Sequence, residues 1–479
     1  MVEKELIRIV GKSNILKTPR LLEEFSTDTT FSPGKRPRCI VRPGNANDVQ
    51  AIVKWANENT IPLVPVSSGG PHFRGDTVPG ADKAIIVDLS RIRRVIKIDN
   101  RNKLAMVEPG VNFGELKLAL EKQDLSVYMP LLPRATKSVI GSMLEREPIT
   151  MPAHHWDSTD PFLCAEVIFG TGDKFRTGEA SGPDTVEEQW ELGRVQMNPF
   201  GHSHVDFQRL LLGAQGTMGI ITWATTKCRS LSRLSRAFLV PSDNLEPLID
   251  LIYLPLKFRL GGHLFILNSR QLACLLGIAL RNLPAWVIFI SFEGYGVLPE
   301  EKVAYEEADF IAMVKSKDLK AEASIAGADT SEIISLLSKP SREPFWKMGL
   351  KGGFHEVFFL TTLDKAPGFV ESVIDIAGAH RYPLENIGIY IQPIVQGTSC
   401  HFELDVYYDP ASVAEREVAK RLSEVIVQAI AVRGGFFSRP YPAWKDIAYA
   451  RATSTAAMQK KIKEIFDPKA IMNPGKLCF

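Results

Sequence analysis

The chain has 479 residues, 45% of them apolar and 23% charged, with a formal net charge of +2, which fits a soluble globular protein of two or three domains. So balanced a charge gives no electrostatic ground for nucleic acid or an anionic membrane as partner. No run reaches ~18 uninterrupted apolar residues, the opening "MVEKELIRIVGK" lacks the apolar centre of a signal peptide, and six scattered cysteines form no C-x-x-C pair, which excludes a sequence-local zinc ribbon or Fe–S motif and suits a reducing cytoplasm.

"NDVQAIVKWAN" (47–57) carries apolar residues at helical spacing behind an Asn-Asp start and predicts a helix. "IPLVPVS" and "AIIVDLS" (84–90) read as short buried strands, and "VIKIDNRNKLAMVEPG" (95–110) as a hairpin turning at Asp99–Arg101. "NFGELKLALEKQ" (112–123) is a helix capped by Asn112. "CAEVIFGTGDKFRTG" (164–178) is a hairpin with Gly-Asp at its turn, and "GIITWATTKC" (219–228) a strand. From about Leu231 to Val432 apolar helices and strands alternate without glycine-rich motifs, predicting an antiparallel sheet with helices on one face. The expected organisation is α+β, with domains at 1–230 and 231–432 and a returning C-terminal segment at 433–479.

Three stretches stand out. "PVSSGGPHFRGDTVPG" (65–80) follows a strand, and Gly69, Gly70 and Gly75 would let backbone N–H groups approach an anion without a Cβ between them. The competing reading is a plain strand connection. The loop is neither a Walker loop, since no Lys-Ser/Thr follows, nor a G-x-G-x-x-G fingerprint. "PLLPRATKSVIGSMLERE" (130–147) places small residues where the chain could pass close to a flat ring or pack a helix tightly. In "GHSHVDFQRLLLGAQGTMGIITWATTKC" (201–228), Gly213, Gly216 and Gly219 bracket a turn into a strand.

The order and spacing of these stretches, with "VDLS" and "VEPGV" between them and "DPKAIMNPGKLCF" at the end, resemble the FAD-binding proteins of the vanillyl-alcohol oxidase / p-cresol methylhydroxylase (PCMH-type) superfamily. The resemblance covers residues ~35–230 and ~410–479 and implies FAD held by the first domain and the returning tail, with a cap domain holding substrate over the isoalloxazine. By position it gives the diphosphate to Ser67, Ser68, Gly69, Gly70, Pro71, His72, Phe73, Arg74, Gly75 and Asp76. Pro109, Gly110, Pro133, Thr136, Ser138, Gly141 and Ser142 would line the flavin. Gly213, Gly216, Gly219 and Ile220 would hold the adenosine end, and Asn473 and Lys476 would reach back to the cofactor. Some relatives attach FAD through a loop histidine, which makes His72 a candidate despite the unusual neighbour Pro71.

"HHWD" (154–157) and "GHSH" (201–204) offer paired histidines that read equally as metal ligands or as hydrogen-bonding groups, and no metal site is assigned to them. Hydroxy-acid dehydrogenases of the superfamily often carry H-x-x-G-D-x-N-x-H in the cap; here the region offers His401 followed by Glu403, half of such a site. "RGGFFSRPYPAW" (433–444) supplies Arg439 and Tyr441, both donors to an oxygen anion. The expected reaction is hydride transfer from an alcohol or alkylphenol-type C–H to FAD, with Arg439 and Tyr441 orienting the substrate and His401, His154 or His155 accepting a proton. Electrons would pass to O₂ or to an iron–sulfur, cytochrome or electron-transfer flavoprotein partner in an oligomer or complex. A 2-hydroxy-acid dehydrogenase and a non-catalytic flavin-fold subunit are the alternatives.

Overall fold

The computed structural model describes residues 2–31, 34–202 and 204–479. Strands β1 (Ile15–Leu16), β2 (Cys39–Val41), β3 (Leu63–Val66) and β4 (Ile85–Asp88) form a first sheet in the order β1-β2-β4-β3, with β4 parallel to both β2 and β3. The connection between β2 and β3 is the expected helix, Ala46–Asn59, whose Asn45 side chain accepts from Asp48 N and whose Val49, Ile52, Val53 and Ala56 are buried. The apolar stripe is the expected one, while the cap is Asn45, two residues ahead of the expected Asn-Asp start, which lies in the first turn.

The second sheet joins β5 (Val95–Asp99), β6 (Leu104–Val107), β7 (Leu125–Val127), β8 (Phe162–Phe169), β9 (Lys174–Arg176) and β10 (Gly219–Ser230), in the order β5-β6-β10-β8-β9 with β7 also on β10. The hairpin expected over 95–110 is β5 and β6, and that over 164–178 is β8 and β9. The helix Phe113–Glu121 carries a full capping box between Asn112 and Glu115.

The third sheet is antiparallel throughout, ordered β11 (Leu234–Ser242), β13 (Trp286–Gly294), β12 (Leu264–Asn268), β17 (Ile387–Ile394), β18 (Ser399–Tyr408), β16 (Gly353–Thr361), with a small hairpin of β14 (Ser324–Ile325) and β15 (Ala328–Asp329) beside it. Long helices at 246–258, 299–315, 366–379 and 413–432 bury Leu248, Phe310, Phe369 and Ile426 against one face. The opposite face is not bare: Leu272, Leu275, Ile333 and Leu337, from helices 269–276 and 330–337, pack there with Phe265, Phe289 and Phe354. Helices on one face only was therefore too simple. These two are short, about two turns each, with Leu272 and Leu275, and Ile333 and Leu337, at helical spacing.

The chain end returns to the first sheet. Met472 bridges Leu63 in parallel, with Leu63 N donating to Ile471 O (2.8 Å) and Asn473 N to Leu63 O (2.8 Å). No helix among the described residues is long and apolar enough to cross a membrane.

Candidate active site

A cleft is lined from all three sheets: residues 65–68, 72–74 and 76–77, positions within the segments 130–148 and 211–221, and Lys347, Glu356, Tyr390, His401, Glu403, Arg439 and Tyr441. Gly69, Gly70, Pro71 and Gly75 shape the loop without facing the cleft. One wall is mostly backbone and small side chains. Ser138 caps helix Val139–Leu144 through Gly141 N (2.9 Å) and donates to Pro109 O (2.6 Å), while Ser138 N donates to Ser68 Oγ (3.0 Å). Gly69 N donates to Thr136 O (3.1 Å), and Thr136 Oγ1 donates back to the carbonyls of Gly69 and Gly70 (both 3.2 Å). Loop 67–71 and segment 134–141 are thereby fastened edge to edge.

This wall requires the smallest residues where chain meets chain. A Cβ at Gly141 would stand 3.0 Å from Ser67 Oγ. Gly216, at φ +71°, would put its Cβ 2.5 Å from Pro65 Cγ, so the turn 213–216 can lie on β3 only without a side chain. Asn473, from the returning tail, ties this turn to the loop by donating to Gln215 O (2.7 Å) and Asp76 O (2.8 Å).

The residues present suit a dinucleotide with a diphosphate. The N–H groups of Ser68, His72 and Phe73, all on the cleft wall, have no acceptor among the described residues, a set of free donors of the kind that cradles phosphate. Arg134 and Arg146 are both strongly desolvated, which pulls their pKa values down, and neither has a carboxylate partner among the described residues. Gln215 Oε1 and Asn473 Oδ1 are buried without a donor, as expected where a ligand supplies it.

Arg74 does not share that role. Its Nη1 meets Glu145 and Glu147 (2.7 Å to the latter) and its Nε meets Glu356 (3.0 Å). Three carboxylates outweigh its burial and hold its pKa well above the ordinary value. A guanidinium so neutralised is a clamp between the glycine loop and the third sheet, which corrects its expected place on the diphosphate. Lys476 lies near Asp76 and Asp28 but off the cavity wall.

The facing wall is built by strand register. Along β18, His401, Glu403 and Asp405 alternate with Phe402, Leu404 and Val406, so the pleat sends the polar set to the cavity side and the apolar set to the helices. Glu356 pairs with Asp405, Phe358 and Tyr390 with Glu403, and Gln392 with His401. Lys347, from the turn Trp346–Met348, enters this face and contacts Glu403 (2.5 Å), Glu356 (2.7 Å) and Asp405 (3.0 Å). The three carboxylates outweigh burial and hold the lysine charged.

His401 Nε2 lies 3.0 Å from Glu403 Oε2, and its Nδ1 lies 3.2 Å from Arg439 Nη2. An anionic carboxylate and a guanidinium leave one tautomer: Nε2–H donates to Glu403 and the Nδ1 lone pair accepts from Arg439. Burial lowers the histidine pKa despite Glu403, so the ring is neutral. Its lone pair is thus engaged, and the geometry gives it a positioning role where the sequence pointed to a proton acceptor. Arg439 donates also to Glu145 O (3.2 Å) and lies 3.9 Å over the Phe358 ring. It is 4% exposed and has no carboxylate partner among the described residues. Burial and the charge of Arg74 bring its pKa down to about 10. Beside it, burial raises Tyr441 well above the usual phenol, so its hydroxyl is a neutral donor.

The other histidines lie elsewhere. His72 reaches the cavity, neutral, with burial and the Arg134 charge holding its pKa near about 3. His154 packs on the Tyr128 ring (5.7 Å), and His155 is buried near Asp160; neither lines the cavity, so neither is placed to take a substrate proton there. His202 and His204 are exposed and join no cluster of metal-ligating side chains among the described residues. Glu356, Asp405 and Lys347 are site residues that the sequence reading missed.

The fold and this cleft define a flavoprotein of the PCMH type. Residues 37–178 match the FAD binding domain family and residues 400–477 the C-terminal domain of FAD linked oxidases. With both domains present, the chain is an FAD-dependent oxidoreductase. Curated relatives include a D-2-hydroxyglutarate dehydrogenase of Stutzerimonas stutzeri, 23% identical over 99% of this chain and 98% of that protein. A mitochondrial D-lactate dehydrogenase (cytochrome) of Arabidopsis thaliana is 22% identical over 92% and 73%. The flavoprotein subunit of 4-cresol dehydrogenase (hydroxylating) of Pseudomonas putida is 30% identical, over 34% of this chain and 31% of that one. Among solved structures, p-cresol methylhydroxylase with substrate bound superposes with a TM-score of 0.87 over 100% of this chain and 96% of that one, at 16% identity.

Proposed function

We propose that this enzyme oxidises a C–H bond of an alkylphenol or related alcohol that binds as its oxygen anion against Arg439. One observation carries the proposal: a buried guanidinium without a carboxylate partner among the described residues faces a cavity walled by Phe73, Phe345, Trp346, Tyr390 and Tyr441. An isolated buried cation costs several kcal/mol, which an anionic ligand relieves. A phenol, with an ordinary pKa near ~10, would be driven to phenolate beside that charge, and its ring matches the aromatic walls. Tyr441 donates the second hydrogen bond to the oxygen.

The chemistry supplied by bound FAD is acceptance of hydride from the adjacent carbon. The protein's part is orientation and exclusion of water: Arg439 and Tyr441 fix the oxygen, His401 fixes Arg439, and the aromatic side chains fix the plane of the ring. Electrons then pass to O₂ or to a protein acceptor, and cysteines scattered along the sequence without a C-x-x-C pair fit a reducing, cytoplasmic setting.

A second reading takes a 2-hydroxy acid as substrate, its carboxylate on Arg439, and is favoured by the whole-length likeness to hydroxy-acid dehydrogenases. Anaerobic mixing of the holoenzyme with a panel of 4-alkylphenols, benzylic alcohols, D-lactate, glycolate and D-2-hydroxyglutarate separates the two. Bleaching of the visible flavin band by the phenols is the expected result; bleaching by the hydroxy acids alone replaces the first reading with the second.

A further inference from the structure

Glu356, Glu403 and Asp405 each turn a carboxylate oxygen toward one point, with the three oxygens within 4.8 Å of one another. Oxygen ligands converging in this way are the usual seat of a divalent cation. Here the point is taken: Lys347 Nζ stands 2.7 Å from Glu356 Oε1, 2.5 Å from Glu403 Oε1 and 3.0 Å from Asp405 Oδ2. An ammonium has three N–H donors, and three acceptors meet them, so none is left for a ligand.

The lysine is held in place from behind. Trp346 N donates to Ser341 Oγ (3.2 Å), Trp346 Nε1 donates to Leu132 O (3.1 Å), and the lysine head lies 5.5 Å from the Phe354 ring. The carboxylates are also held by other donors: Arg74 on Glu356 (3.0 Å), His401 on Glu403 (3.0 Å) and Gln271 on Asp405 (2.6 Å). From Glu403 a single line of contacts runs outward through His401 to Arg439.

We infer that Lys347 is a built-in cation: it fills the seat a divalent metal would otherwise take, and through Glu403 and His401 it holds Arg439 in the orientation that receives the substrate oxygen. The metal half of this inference stands on the triad alone; the positioning half rests on Arg439 being the partner of the substrate anion. Lys347 touches no reacting atom, so it is a positioning residue. Its removal leaves the carboxyl oxygens of Glu356, Glu403 and Asp405 converging on an empty point, the arrangement that takes a divalent cation.

The test uses FAD-loaded protein treated with chelator and then titrated with Mn²⁺ by calorimetry, with phenolate affinity read from perturbation of the flavin band. Wild type is expected to take up no Mn²⁺ at this seat and to keep its phenolate affinity throughout. Lys347→Ala is expected to bind one equivalent of Mn²⁺, lost again when Asp405→Asn is added. It should also bind phenolate about 10- to 100-fold more weakly, with affinity recovering on Mn²⁺ or in Lys347→Arg. Stoichiometric Mn²⁺ binding to wild type that Asp405→Asn abolishes overturns the inference, and this arm holds even if Lys347→Ala does not fold. Phenolate affinity unchanged in Lys347→Ala overturns the positioning half. Failure of phenolate to bind wild type contradicts the substrate reading and leaves the Mn²⁺ result standing by itself.

Discussion

The two walls of the cleft are made by opposite means. The glycine-loop wall, at 67–76, 134–141 and 213–220, holds its shape by hydrogen bonds from main-chain groups and short Ser and Thr hydroxyls between stretches rich in Gly, Ser and Thr. The facing wall of β16, β17 and β18 is a charged lattice of Glu356, Glu403, Asp405, Lys347, His401 and Arg439, most of it sealed from water. The first presents free backbone donors that suit any diphosphate. The second presents one guanidinium whose orientation depends on every partner behind it. Cofactor binding therefore rests on backbone shape, and substrate choice on a few side chains that cannot be exchanged singly.

Substitutions on the two walls should accordingly fail in different ways. The largest effect is expected for Arg439→Ala: kcat/KM falls about 100- to 1,000-fold while FAD content stays at the wild-type level, as steady-state kinetics and the absorbance ratio will show. Loss of FAD along with activity would blur the division between the walls. Gly216→Ala should do the reverse. At φ +71° and 2.5 Å from Pro65, the new methyl group forces the turn off β3, costing about 1–3 kcal/mol, read as lower FAD retention and lower stability to denaturant.

A smaller effect is expected for His401→Ala, because the ring acts through Arg439: KM rises about tenfold and the limbs of the pH profile stay where they are. A general base in that position would instead take one limb of the profile with it. The smallest effect is a matter of pH. Burial lowers Arg439 to about 10, so the free enzyme carries its charge below that value and loses it above. Affinity for a permanently anionic ligand should be nearly flat to about pH 10 and then weaken by roughly tenfold per unit; a ligand held by an arginine of ordinary pKa would show no such break.

The glycine-loop wall was legible in the sequence because its requirements are local. A loop of closely spaced glycines after a strand, a Ser-capped turn and a returning Asn each announce a backbone task within a few residues. The charged wall was half legible. "CHFELDV" alternates titratable with apolar residues at a period of two, which marks His401 and Glu403 on one face and marks Asp405 equally, though only the first two were singled out. Glu356 and Lys347 reach the same point from β16 and from a turn, and only sheet register brings them there. Arg74 misled because a basic residue in a glycine loop reads as a phosphate ligand, while its carboxylate partners Glu145, Glu147 and Glu356 lie 71 to 282 positions away.

The central claim is that the uncompensated guanidinium of Arg439 receives the substrate's oxygen anion. Its most direct test is the rate of anaerobic flavin reduction by a 4-alkylphenol in wild type and in Arg439→Ala, both loaded with FAD. Reduction in wild type that slows at least about 100-fold in the variant is the expected result; equal rates in the two proteins, or no reduction by any phenol in wild type, would contradict it.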